Sequence, residues 1–191
     1  SKERNPELKN PLLSSGGMTL SNNARPIPQV WAGIPDYWYF TRNKMFAFKG
    51  YISYGAYTDN NWQKSFAANG EKYIENTLYH SKALYMKIGN EEKKPLTWEL
   101  GIEMAAQFGG EGYYKGESSP FIDMPNRFKD FITVFYMGGS DESDGKYPNS
   151  YGNHLGSYNS ALTYHFPTWK IKAYYDHYFE DGSMMIDEYA W

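Results

Sequence analysis

Apolar residues recur at every second position over long stretches of this chain. Between residues 96 and 108, LTWELGIEMAAQF, one alternate set is Leu96, Trp98, Leu100, Ile102, Met104, Ala106 and Phe108. The intervening set is Thr97, Glu99, Gly101, Glu103, Ala105 and Gln107. A period of two over this length predicts a strand with one apolar and one polar face. The pattern repeats over 45–58, where Phe46, Phe48, Gly50, Ile52, Tyr54 and Ala56 share a face. It repeats again over 155–166 and 169–180, which meet across Pro167 and Thr168. Residues 78–89 alternate less cleanly, because His80 and Lys82 fall on the otherwise apolar face. A shorter extended segment spans 27–34, where Pro26 and Pro28 forbid a helix.

These six strands form one predicted unit, 27–191, behind an irregular lead-in, 1–26, rich in Asn, Ser, Gly and Pro. The connections alternate in length: 59–77 is long, 90–95 short, 109–154 long and 167–168 short. In an antiparallel meander this gathers the long connections at one end of the sheet and the short ones at the other. The first long connection reads as a polar loop carrying Trp62. The second holds one helical signal near 125–137, with Phe128, Phe131, Ile132, Phe135 and Tyr136 at helical spacing. Pro125 stands at its expected first turn and Gly138-Gly139 at its stop. The expected fold class is all-β: an antiparallel meander of long amphipathic strands with one short loop helix.

An amphipathic strand can turn its apolar face to a protein core or to lipid. Strands of about 12 residues exceed the usual 5–6 of soluble sheets and reach the roughly 9–11 needed to cross a bilayer. Short turns at one end and long loops at the other are the arrangement of outer-membrane barrels. Charges recur within strands, as lumen walls require: Lys49, Glu99, Glu103, Lys170, Lys172, Asp176 and Glu180. Aromatic residues mark the strand ends, with Trp98, Phe108, Trp169 and Phe179 on the apolar sets. The expectation is part of a large transmembrane β-barrel, since six strands fall short of the eight that close one. On this reading an arginine at Leu100 is costly and loss of the Glu99 charge is nearly silent. The alternative is a soluble β-sandwich or barrel that binds carbohydrate, its apolar face forming the core.

Composition sharpens the choice of chemistry. Aromatic residues make up 19% of the chain, with 19 Tyr, 11 Phe and 6 Trp. Two uses fit: girdles at a membrane interface, and ring platforms for sugars. A net charge of −3 gives no footprint for nucleic acid, and the absence of cysteine removes disulfides and thiolate chemistry. No run of 18 apolar residues is present, so no transmembrane helix is expected. Glu99 and Glu103 lie four residues apart, about 13 Å along a strand, too far for a catalytic carboxylate pair. Asp176 and Glu180 fail in the same way. A glycan-degrading enzyme would need a cross-strand pair, and no catalytic residue is assigned. His80, His154, His165 and His177 show no ligand spacing, and DESDGK (141–146) lacks the final glutamate of a calcium loop. No metal or cofactor is expected. Trp62, Tyr113, Tyr114, Tyr147 and Tyr151 fall in the long loops among Asn, Asp, Glu and Gly, a mixture suited to stacking and hydrogen-bonding sugar rings.

Five phrases in order carry a resemblance: LSSGGMTLSNNARPIPQV, YHSKALYMKIGN, MAAQFGG, GNHLGSYNSALTY and YYDHYFEDGSMM. Together they resemble the capsule-assembly Wzi family of Gram-negative bacteria, over most of the chain from about residue 11 to 191. The resemblance implies a large outer-membrane barrel acting as a surface lectin that holds capsular polysaccharide to the cell. It also implies further strands beyond this segment. No sugar-contacting residue carries over from it.

Overall fold

The computed structural model describes residues 8–10, 12–14, 16–19, 25–136 and 153–180. Six long strands form one sheet: β1 (Gln29–Tyr39), β2 (Phe46–Ala56), β4 (Leu78–Ile88), β5 (Leu96–Phe108), β8 (Asn153–His165) and β9 (Lys170–Glu180). Each pairs antiparallel with the next, in the order β1-β2-β4-β5-β8-β9. The fold is therefore all-β and meandering, as the alternation predicts. Among the described residues β1 and β9 are edges of an open sheet.

The long connections are more structured than their composition suggested. The first contains a short helix, α1 (Trp62–Phe66), and a strand, β3 (Lys72–Glu75). The second contains β6 (Gly110–Tyr114), β7 (Ile122–Met124) and α2 (Phe128–Phe135). Strands β3, β6 and β7 form a second antiparallel sheet at the long-connection end. The polar loop expected over 59–77 is thus corrected to a helix and a strand. Five and four residues are too few to show a period. The loop helix is present but begins at Phe128, with Arg127 at its N-cap, rather than at Pro125. Its expected Gly138-Gly139 stop, like DESDGK, lies outside the described residues. Strand β1 also runs past residue 34 to Tyr39, because its register shifts between Ile34 and Trp38 and absorbs Pro35 as a bulge.

The main sheet buries its polar face and exposes much of its apolar one. In β5, Thr97, Glu99 and Glu103 retain 2%, 8% and 2% of their exposure, whereas Leu96 and Trp98 on the other side retain 49% and 44%. Opposite neighbours repeat the division. Leu96, Tyr164 and Ile171 form one register row on the apolar face, and Thr97, Thr163 and Lys172 form one on the polar face.

Part of the lead-in lies across the polar face. Leu8 is buried with Tyr51, Ala83, Tyr85 and Ala161, and Trp31 and Tyr37 pack against this cluster. The Lys172 ammonium donates to the Leu8 carbonyl at 2.8 Å, and the Thr19 hydroxyl donates to Ser157 Oγ at 2.8 Å.

Two glycines are required by ring packing. A Cβ at Gly101 would stand 2.4 Å from Tyr85 Cδ1, because the fully buried Tyr85 ring lies over its cross-strand partner. On the apolar face Phe179 covers Gly156 in the same way, with its Cζ 2.4 Å from where a Cβ would be. Gly101→Val should displace Tyr85 and cost about 1–3 kcal/mol by overpacking, read as a lowered denaturant midpoint. An unchanged midpoint would show that the ring has room to move.

Candidate functional site

The long-connection end carries a compact aromatic cap built on the small sheet. Tyr73 and Tyr113 are directly opposite in β3 and β6, and their rings stack at 5.6 Å with 18° between planes. Two residue pairs further on, Glu75 faces Glu111, which in turn faces Asp123 of β7. Alternation puts Tyr73, Glu75, Glu111, Tyr113 and Asp123 on one face of this sheet. That face pairs rings with carboxylates.

Like charges opposite one another repel, and each glutamate has its own partner. The Lys64 ammonium of α1 pairs with Glu75 at 3.2 Å and lies 5.8 Å from the Tyr73 ring centroid. Its pKa is raised, chiefly by the hydrogen bond to Glu75. Tyr113 donates its hydroxyl proton to Glu111 at 2.7 Å. That bond, aided by burial and the Glu111 charge, pushes the Tyr113 phenol up to about 12.

Trp62 opens α1 and stacks on Phe66 one turn later, at 5.0 Å and 14° between planes. The two rings are 60% and 75% exposed. Asp59 fixes the helix start: its carboxylate accepts the Asn61 N–H at 2.9 Å and the Gln63 N–H at 3.0 Å. At the other end the Lys115 ammonium donates to the Lys64 carbonyl. A helix this short is marginal alone, so these bonds from the loop and from Lys115, just after β6, hold the exposed ring pair in place.

Of the loop aromatics expected to meet sugar, the structure brings Trp62 and Tyr113 to the α1 side of the small sheet. Tyr114 is the next residue along β6 and therefore faces the other way, against Phe121, under the Lys72 ammonium. Tyr113 and Tyr114 do not form one platform. Tyr147 and Tyr151 lie outside the described residues. Sequence reading missed Phe66, Tyr73, Glu75 and Glu111. The i, i+4 spacing of Trp62 and Phe66 was the visible signal for the first of these.

The in-strand charges meet on the polar face of the main sheet. Lys172 pairs with Glu99 at 2.5 Å, and Tyr37 donates to the same carboxylate at 2.8 Å. Asp176 pairs with Lys9 and accepts a hydrogen bond from Asn159 at 3.1 Å. Tyr85 donates to Glu103. The Lys49 ammonium lies between the Tyr37 and Tyr85 rings, 4.8 and 5.1 Å from their centroids. Lys170 and Glu180 share this face of β9 but sit exposed on the edge strand. The polar faces of β4 and β8 carry no carboxylate, so neither Glu99 nor Glu103 has a directly cross-strand acidic partner. Among the described residues no cluster of His, Asp and Glu is placed to hold a metal ion.

Glu99 corrects one expectation: a buried carboxylate bonded to Lys172 and Tyr37 is not a silent position. Comparison with protein-family models, curated protein sequences and solved structures gives no match for this chain.

Two outcomes follow. Glu99→Gln should lower stability by about 1–3 kcal/mol, because it leaves the Lys172 ammonium without its counter-charge on a covered face; the denaturant midpoint reads this. The Tyr113–Glu111 bond favours the protonated phenol, so its contribution is complete below the free-phenol value of 10.0 and is lost as pH rises toward about 12. Tyr113→Phe should flatten that alkaline loss, and an identical profile in both proteins would contradict the assignment.

Proposed function

We propose that this chain is part of an outer-membrane β-barrel of the capsule-assembly Wzi type, acting as a surface lectin that organises capsular polysaccharide. The observation that carries the reading is the inverted polarity of the main sheet: charges paired on the covered face, large apolar side chains on the exposed one. Water disfavours a contiguous exposed face of this kind, whereas lipid accepts it.

Dimensions support the same reading. An 11-residue strand such as β2 is about 36 Å long, which at the roughly 40° tilt of such barrels projects to about 28 Å. The apolar face also ends in aromatics at the short-turn end. Trp38, Phe40, Phe46, Trp98, Tyr164 and Trp169 are all exposed there. Trp98 still donates its indole N–H to Ser160 Oγ at 2.9 Å. A ring with an apolar body and a satisfied polar tip suits the membrane interface.

On this reading the aromatic cap stands outside the cell, and the exposed Trp62–Phe66 pair supplies the stacking surface for sugar rings. The lectin binds and does not turn its ligand over. A soluble carbohydrate-binding sandwich would use the same cap but would need a further layer over the apolar face.

The test is binding of purified capsular polysaccharide to the chain displayed in outer membranes. Trp62→Ala should weaken it roughly two- to tenfold, the worth of one aromatic stacking contact. Because Trp62 is exposed, stability should be unchanged. Undiminished binding by Trp62→Ala with Phe66→Ala would remove the cap from the proposal.

A further inference from the structure

The exposed apolar face is not smooth. A groove of about 400 Å³ crosses it, within the size range of pockets that hold small ligands. Its walls are Ala32 and Ile34 of β1, Ile52 of β2, Leu84 of β4 and Ile102 of β5. The dent arises at Gly50, which stands where a side chain would otherwise sit between Ile34 and Leu84. A Cβ there would approach the Ala83 carbonyl oxygen to 2.4 Å, so the backbone itself keeps the position empty.

One end of the groove is closed by Phe135 of α2 and by Lys82. Among the described residues of the lining, Lys82 is the only charged one. Its ammonium lies 4.2 Å from the Phe135 ring centroid and donates to the Phe135 carbonyl. An ammonium has three N–H groups, and that bond uses one. The groove is therefore an apolar trough with one cationic end, continuous with the exposed apolar surface on either side.

We propose that this groove seats one acyl chain of an anionic membrane lipid, whose net negative head group pairs with Lys82. The inference rests on the outer-membrane reading, because a bilayer supplies both the acyl chain and its head group. An anionic amphiphile is the complement that the lining selects: apolar walls select the chain, and the single cation selects the head. Lys82 also stretches toward the long-connection end, as a lysine stem does when its charge seeks the polar boundary of a membrane.

The experiment is native mass spectrometry of the full chain in detergent, titrated with phosphatidylglycerol or with phosphatidylcholine bearing identical acyl chains. Phosphatidylglycerol should be retained about fivefold better, the preference one basic residue near a membrane surface supports. Lys82→Gln, which keeps an N–H for the Phe135 carbonyl but loses the charge, should abolish the preference, and Lys82→Arg should keep it. Ala32→Trp, which fills the groove, should reduce retention of both lipids. Equal retention of both lipids by the unaltered chain, or an undiminished preference in Lys82→Gln, would overturn the proposal. Vesicle flotation on the same preparation separates the two readings. A chain that floats without lipid preference loses the groove alone; one that does not float loses the membrane reading and the groove together.

Discussion

Glu99 and Lys172 meet at 2.5 Å on the covered face of the sheet, reaching across β8, where the intervening residue opposite Glu99 is Ala161. Taking a carboxylate and an ammonium out of water costs several kcal/mol each unless both are paired and hydrogen-bonded. The rest of the polar face is arranged to meet that condition. Tyr37 takes the second oxygen of Glu99, Lys9 and Asn159 hold Asp176, and Tyr85 holds Glu103. Period-two alternation then leaves no choice for the apolar side chains, which must all point the other way. One electrostatic requirement thus sets the orientation of the whole sheet.

The apolar face carries its own exceptions, and they coincide with α2. His80, Lys82 and His154 interrupt the apolar pattern near the long-connection end, and α2 lies against that end. His154 Nε2 lies 3.2 Å from the Val134 carbonyl, Lys82 donates to Phe135, and Tyr54 donates to the Phe131 carbonyl at 2.9 Å. The last carbonyls of a helix have no intrahelical donors and carry the negative end of its dipole. Lys82 and His154, which look misplaced on a greasy strand, meet the last two of those carbonyls, whereas His80 bonds the Ser53 carbonyl at 2.9 Å. Phe108, Ala106 and Val134 close the contact beneath them.

The main sheet was legible because strand periodicity is local and strong. Five of the six long strands and their two faces follow from alternation, whereas β1 was visible only as a short extended segment, 27–34. The polar partners of Glu99 were legible only in part: Lys172 lies on the matching face of β9, but Tyr37 reaches Glu99 through a bulge that no period reveals. The small sheet was not legible, since β3, β6 and β7 are only three to five residues long. Tyr73 and Glu111 acquire meaning only when that sheet places them beside Tyr113 and Glu75. Single residues in a loop do not show which neighbours they will meet, and this is why Tyr113 and Tyr114 looked like one site.

On the proposed reading, the face bearing Leu96, Trp98 and Leu100 looks at lipid. Fractionating cells that express the chain behind an export signal tests it most directly. A lipid-facing sheet should be recovered only in the detergent-extracted outer-membrane fraction, resistant to stripping with urea. A monodisperse, β-rich protein in plain buffer would contradict it, because that face would then be covered by protein.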